Sequence, residues 1–576
     1  MEKELFGVFD DRSAFERARS PESFDRLCST DALTVGIRDP ALGIPGRSAA
    51  YDGPEGACVI WGEAYLPEEA QDDPARWVLR RYAEVGTNAL YRLNGSYLLA
   101  IAHDGEAAVY TDPIRSWECF YTDASGVRTF GTDAERVCRT VPTLSLDRES
   151  MLELAHLSVI LDDRTLFEEV ERAPFDGVLF ADETDSLERF VYRPRRFDYA
   201  TELAARLRRA LDRRASLPGR KGLLLGAGYD SRALLAGIPE IESCYTVGAE
   251  SAPEVRVARK ISNQYGASHR RIPIDGSYFD VGADVVRYTN GIGESIHVHQ
   301  RGVESIADAD VVYHGWAMDS LLKGFFVPKR RVGAFGKSVK LSSLDEDPDV
   351  VDFLSQRRLG IMPECDHLLA DCPGVDDPAE FVRDRLEHEL DQCRDRCERI
   401  HDLPNVLGVK NLPSRSFRTH LADRFIESFL CADRELLEWH LQTPPEHRTT
   451  ETFLDAVRQL DPDVLQYRPP DRPRTNSVIN QVEGFLRRNL RGMKAFGNPW
   501  PNRRDIYRRY DLDNVLFPDS PEIHSCSVRY KLRVHDVVTW LDMLSGEHPI
   551  EPEEVGCPPA DRRIHPGRPF ESERPP

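Results

Sequence analysis

Leu223-Leu224-Leu225-Gly226-Ala227-Gly228-Tyr229-Asp230-Ser231-Arg232 is the stretch on which the reading of this chain turns. A short apolar run, fit for a buried strand, gives way to small residues, and a helical pattern starts at about Asp230. Small residues let backbone N–H groups close around phosphate oxygens. A helix N-terminus adds positive potential at the same point. An Asp there cannot hold phosphate itself; its natural use is to ligate a Mg2+ that bridges the phosphate. Ser231 supplies a hydroxyl donor. Taken alone, the turn reads equally well as an ordinary strand-to-helix connection.

The flanking sequence repeats the pattern. Residues 199–214 form a charged amphipathic helix before the first run. A second apolar run, Ser243 to Val247, precedes a helix at roughly 253–265. A third, Asp310 to Tyr313, again ends near a glycine, Gly315. Strand, loop and helix in repetition predict a parallel α/β sheet. Asp230 and Asp319 would then meet at the carboxyl ends of parallel strands, where open sheets bind ligands. Residues 330–410 read as a polar, helical insertion. Residues 416–490 return to amphipathic helix, and 546–576 are rich in Pro and charge and are expected to be disordered. Residues 1–195 differ: short β-rich runs such as Ala57-Cys58-Val59-Ile60-Trp61 and Ser96-Tyr97-Leu98-Leu99-Ala100-Ile101 are broken by turns and by one helix near Pro74 to Val85. They predict an α+β sheet domain.

Composition bounds the partners. The net charge is −22, and only about ten of the 75 basic residues are Lys. An acidic, Lys-poor surface holds water where salt screens charge. A salt-adapted cytoplasm of haloarchaeal type is the expectation, and nucleic acid is disfavoured because phosphate binding needs a basic face. No run of apolar residues is long enough to span a membrane, and the N-terminus lacks a signal-peptide pattern. A cytoplasmic protein without a membrane partner is expected. Twelve cysteines in 576 residues are no disulfide framework.

On these motifs the second half resembles the asparagine synthetase family, whose pyrophosphate loop reads Ser-Gly-Gly-x-Asp-Ser. The matching positions are Gly226, Ala227, Gly228, Asp230 and Ser231, with the first Ser and first Gly replaced. Thr246-Val247-Gly248 lies where the family contacts adenosine. Glu254-x3-Ala258-Arg259 and Gly266-x2-His269 match the helix and turn that follow. Gly315-Trp316-Ala317-Met318-Asp319 resembles the second phosphate loop, Gly-x-Gly-x-Asp. Phe429-Leu430-x3-Arg434-Glu435-Leu436 resembles a later helical segment. The resemblance implies ATP held by Gly226, Ala227, Gly228, Asp230, Ser231, Thr246, Val247, Gly248 and Gly315, with Mg2+ on Asp230 and Asp319. It implies carboxylate attack on the α-phosphate of ATP, loss of pyrophosphate, and displacement of AMP by an amine. No protein nucleophile is required and none is nominated. The site departs from the family at its acceptor end. Ser320 stands where a Glu follows the second Asp, which puts aspartate in doubt as substrate. Trp316 stands where the cyclising β-lactam synthetases have Tyr, and indole cannot shuttle a proton. Lys323 replaces a Gly and is expected on the surface. Lys494 is a weak candidate for a catalytic lysine.

The first half resembles a class II glutamine amidotransferase domain through Phe6-Gly7-Val8-Phe9, Gly62-Glu63-Ala64-Tyr65, Leu93-Asn94-Gly95-Ser96-Tyr97, and Asp112-Pro113 followed by Phe120-Tyr121. The resemblance puts the nucleophilic Cys at Phe6, with five residues in front. None of the twelve cysteines replaces it, Cys28 being the nearest, and the glutamine-pocket Asn is Trp61. No glutaminase activity is expected.

Cys365, His367, Cys372, Cys393, Cys397 and His401 cluster in one polar segment. Cys393, Cys397 and His401, spaced by four, would share one helix face and, closed by Cys365 or Cys372, suit a structural Zn2+ site; buried or free thiols are the simpler reading. The expected architecture is two-domain, α+β and α/β. An Ntn-type amidotransferase-like sandwich (1–195) is followed by a PP-loop, adenine-nucleotide α-hydrolase-like domain with a helical extension (199–545). The expected function is an asparagine synthetase-like, ATP-dependent, AMP-forming amide ligase. It would join a small-molecule carboxylate to an amine or ammonia without glutamine hydrolysis. A catalytically impaired ATP-binding homologue or scaffold is the alternative, and a PP-loop sulfur-transfer enzyme a third. Oligomeric state is left open.

Overall fold

Twelve strands of two to ten residues, interrupted by helices, build the first 195 residues of the computed structural model. The structure describes residues 1–67, 73–274, 278–279, 281–334, 337–355, 359, 377–412, 414–472, 477–489 and 503–545. The strands are β1 (Glu4–Val8), β2 (Arg26–Ser29), β3 (Thr34–Arg38), β4 (Ala49–Gly53), β5 (Gly56–Tyr65), β6 (Asn94–His103), β7 (Glu106–Thr111), β8 (Phe120–Thr122), β9 (Thr129–Gly131), β10 (Glu171–Arg172), β11 (Gly177–Leu179) and β12 (Thr184–Ser186). They form two sheets, β10-β8-β9-β1-β3-β2 and β12-β11-β7-β6-β5-β4. β5 and β6 pair antiparallel from Ala57↔Ala102 to Tyr65↔Asn94.

Both strands are apolar on both faces because both faces are covered. Val59, Trp61, Leu98 and Ala100 meet Leu5, Val35 and Ile37 of the facing sheet. Cys58, Ile60, Leu99 and Ile101 pack with Val78 and Leu79 of the helix Pro74–Val85. That helix starts at Asp73, whose carboxylate accepts from the N–H groups of Ala75 and Arg76, with Pro74 at the first position. Phe6 and Val8 cover the other sheet's outer face with Phe15 of the helix Arg12–Ala18. The result is a helix–sheet–sheet–helix sandwich.

The helix Tyr199–Ala215, capped by Asp198, opens the second half. Five parallel strands follow: β13 (Lys221–Leu224), β14 (Ile241–Val247), β15 (Ser268–Ile272), β16 (Val311–Tyr313) and, after the hairpin β17 (Lys329–Ala334) and β18 (Lys337–Leu344), β19 (Ile426–Ser428). Their order is β15-β14-β13-β16-β19, every pair parallel. The chain winds outward from β13 through β14 and β15, then returns to β16 on the other side. The strand order therefore switches at β13 and β16, and the crevice at their carboxyl ends is where such sheets take ligands. Of these five parallel strands, β15 and β19 were not foreseen. The segment 330–410, expected to be polar and helical, opens with the hairpin, and its helix Pro378–Gln392 buries Val382, Leu386 and Leu390 in the main core. Among the described residues no helix is long and apolar enough to cross a membrane. The tail 546–576 and Lys494 lie outside the described residues.

Candidate functional site

The first loop leaves β13 through Leu225, whose N–H donates to Tyr245 O on β14 (2.9 Å). It reaches the helix Asp230–Gly237 through Gly226, Ala227, Gly228 and Tyr229. Gly228 is exposed, and nothing lies within 4 Å of where a Cβ would be. Ser231 turns its hydroxyl back to accept from Gly226 N–H (3.3 Å). Arg232, which the sequence did not mark, is buried beneath the loop and donates to Ala227 O (2.6 Å) and Gly228 O (2.9 Å). It also donates to Val464 O and Tyr467 O, tying the loop to the helical extension. Burial draws its pKa down to about 10. Thr246 ends β14 beside the loop, donating to Leu225 O (2.6 Å) and meeting His269 Nε2 (3.0 Å). Val247 closes that strand, and Gly248 follows with φ +152. One feature opposes an open cradle: Glu254 Oε1 accepts from Ala227 N–H (2.5 Å), so a carboxylate stands where a phosphate oxygen would.

The second loop follows β16. Gly315 is required by contact: a Cβ there would lie 2.8 Å from Asp230 Cβ and 3.0 Å from Ser231 N. The two loops touch at this residue. Ala317 holds the position of the second motif glycine and keeps a left-handed backbone, φ +62 and ψ −2, which costs a non-glycine residue ~1 kcal/mol. The short helix Met318–Leu322 then carries Asp319 outward.

Asp230 and Asp319 do come together, and Lys323 lies between them. Its Nζ is 2.6 Å from Asp230 Oδ1 and 2.5 Å from Asp319 Oδ1. The expectation of a surface lysine is corrected: the side chain is buried, because the one-turn helix points it back over its own acid at i−4 toward Asp230. Burial would lower the Lys323 pKa, but Asp230 and then Asp319 outweigh it and hold it above the ordinary value. Burial raises Asp230 to about 6 against the pull of Lys323. A Mg2+ on both carboxylates needs oxygen at about 2.1 Å, which is the volume the ammonium fills. As arranged, these residues do not fit a metal bridging the two aspartates.

Beyond Asp319, the region around Trp316, Ser320 and Glu427 is closed by aromatic and ionic packing. Trp316 Nε1 donates to Ser414 Oγ (2.7 Å) and its ring meets Phe429 at 4.9 Å. Ser320 is buried behind Asp319. His314 Nε2 lies 2.7 Å from Glu427 Oε1, and Arg418 binds both oxygens of Glu427. Burial alone would raise Glu427; Arg418 and His314 hold it well below the carboxylate range.

In the first half, Phe6 faces the outer helix and not the space between the sheets. Trp61 and Trp117 fill that space edge to face at 4.5 Å, and Arg418 from the second half stacks on Trp117 at 3.8 Å. Glu63 crosses to the second half: it accepts from Phe429 N–H (2.9 Å) and pairs with Arg214 Nε (2.9 Å), which also binds Asp433 (2.8 Å). Burial pushes the thiols up, Cys28 to about 11 and Cys119 to about 12. Two small interface cavities, of about 30 and 20 Å3, are lined by Glu118 and Asn290 and by neither Asp230 nor Asp319. The touching loops locate the candidate site better than cavity size does, because they carry the charge.

The shared helix face expected for Cys393, Cys397 and His401 is not formed. The long helix ends at Gln392, and Cys393 and Cys397 bracket a single 3-10 turn. His401 Nε2 is occupied by Asp345 O. Burial raises both thiols to about 12, and among the described residues no group of three or more His, Cys, Asp or Glu could hold a metal. Cys365, His367 and Cys372 lie outside the described residues.

No known protein family and no curated protein matches the chain. Among solved structures it is similar to one described as the allosteric regulatory enzyme of purine biosynthesis, at 9% identity, over 47% of this chain and 74% of that one, with a TM-score of 0.22. It is also similar to glutamine phosphoribosylpyrophosphate amidotransferase from B. subtilis complexed with ADP and GMP, at 9% identity, over 54% and 69%, with a TM-score of 0.22.

Proposed function

We propose that this chain is an ATP-dependent, AMP-forming amide ligase of asparagine synthetase type, which activates a small-molecule carboxylate and transfers an amine or ammonia to it without hydrolysing glutamine. The contact of Gly315 with Asp230 carries the reading: two small-residue loops ending in acids converge at the strand switch of a parallel sheet. Arg232 and Thr246 hold the first loop rigid from below and from the side, as positioning of a triphosphate demands. The first half, with Phe6 turned away and indoles between its sheets, serves as a packing partner. The test is exchange of labelled pyrophosphate into ATP at multimolar KCl, screened over aspartate, other amino acids and sugar acids. Exchange with at least one carboxylate is expected; none with any would remove the ligase reading.

A second reading, an ATP-binding homologue without turnover, is favoured by one observation. Glu254 sits on the loop N–H that a phosphate would use. Calorimetry separates the two: nucleotide binding without exchange supports the homologue.

A further inference from the structure

Lys323 is not a loose surface side chain. It closes a helix whose Leu321 and Leu322 are fully buried, and Leu321 O is bound by His440 Nδ1 (2.6 Å). The next residue, Gly324, takes φ +65, and a Cβ there would lie 2.2 Å from Arg448 O. Only glycine fits, so the chain is pinned directly after the lysine. Phe453 presents its ring 5.7 Å from Nζ, within reach of a cation–π contact. The ammonium is thus held on two carboxylates and an aromatic face by a backbone with little freedom.

Geometry and charge both make this place exclusive. A divalent ion on Asp230 Oδ1 and Asp319 Oδ1 would need oxygens at about 2.1 Å, and those two oxygens already lie 2.6 and 2.5 Å from Nζ. Ion and ammonium cannot share it, since like charges at such separation in a partly dry site repel strongly. An ammonium has three N–H donors and no acceptor. Two are spent on the aspartates, which leaves one.

We infer that Lys323 is the resident cation of this site: its ammonium takes the place a divalent metal would need between Asp230 and Asp319, and its third N–H is the donor offered to a nucleotide phosphate. The last clause rests on the ATP-site reading above; the exclusion of a bridging metal does not. Any divalent ion that arrives with the nucleotide is then held by the phosphates alone.

The test uses the full chain with Mn2+ as the probe, followed by electron paramagnetic resonance, and with ATP followed by calorimetry in EDTA and in Mg2+. The wild type should not bind Mn2+ beyond the level of Asp230→Asn, and should bind ATP in EDTA within about threefold of its affinity in Mg2+. Lys323→Gly frees both carboxylates and should gain at least about tenfold in Mn2+ affinity. Lys323→Met, which keeps the buried stem and should fold where Gly does not, should gain similarly. Wild-type Mn2+ binding that Asp230→Asn removes and Lys323→Met does not strengthen would overturn the inference. If ATP fails to bind under every condition, the ATP-site reading and the phosphate contact fall, while the Mn2+ comparison still decides what stands between the aspartates.

Discussion

Glu63 and Asp230 are both buried or half-buried acids paired to a buried cation, one in each half of the molecule, and their settings differ. Glu63 is saturated: Arg214, Ser428, Phe429 N–H and Tyr65 all reach it, and it is sealed at the interface. Asp230 has Lys323 on one side and an exposed glycine loop on the other. A saturated buried acid is a fastener. An acid held mainly by one lysine beside an exposed glycine is less fully satisfied, and its raised pKa reflects the solvation it lacks.

The largest effect that can break this contrast is on stability. Glu63→Ala leaves Arg214 buried beside Asp433 alone and should cost ~3–5 kcal/mol, read as a fall in urea midpoint. Asp230→Asn keeps an acceptor beside Lys323 and leaves Asp319 on the ammonium, so it should move that midpoint by less, ~1–2 kcal/mol. If the two variants melt alike, the distinction between fastener and site is wrong. A third buried acid extends the comparison. Asp536 on the helix Val528–Ser545 accepts from Ser295 N–H (2.8 Å); burial raises its pKa to about 7 against the pull of Ser295 and Arg301. The folded state then holds a proton that the unfolded state releases from about pH 4 upward. Stability should therefore fall as pH rises from about 4 to 7, by roughly 3–4 kcal/mol. Asp536→Asn should flatten that slope, and an unchanged slope would assign it to other groups.

Reactivity sharpens the contrast from the first half's side. With Cys28 and Cys119 thiols held near 11 and 12, native protein at pH 8 should resist iodoacetamide at both and release no glutamate from glutamine; rapid labelling at either would contradict an inert first half. The smallest effect concerns Ala317. Ala317→Gly relieves a left-handed alanine and should stabilise by no more than ~1 kcal/mol, read by melting temperature; a clear loss would mean that its methyl group packs usefully.

Much of this was legible in the sequence, for physical reasons that can be named. The runs at 223–225, 243–247 and 310–313 are apolar because those strands are central and covered on both faces. β15, Ser-His-Arg-Arg-Ile, is an edge strand with half-exposed side chains, and β19 is three residues with Glu427 in the middle. Neither carries a strand pattern, since the burial of Glu427 depends on Arg418 and His314 from elsewhere. The meeting of Asp230, Gly315 and Asp319 was legible, because a small residue or an acid directly after each strand marks where two loops can converge. Lys323 was not: its role depends on Asp230, 93 positions earlier, and i,i+4 pairing with Asp319 alone reads as a surface ion pair. The cysteine spacing misled because a helix was assumed through Cys393, where the chain leaves it.

On the reading proposed above, the parallel-sheet half activates a carboxylate beside Asp230, and the sandwich half packs against it. Carboxylate-dependent exchange of pyrophosphate into ATP, compared between wild type and Asp230→Asn, tests it most directly. Exchange in the wild type that falls at least about 100-fold in the variant is predicted. Exchange that survives Asp230→Asn unchanged would contradict the account.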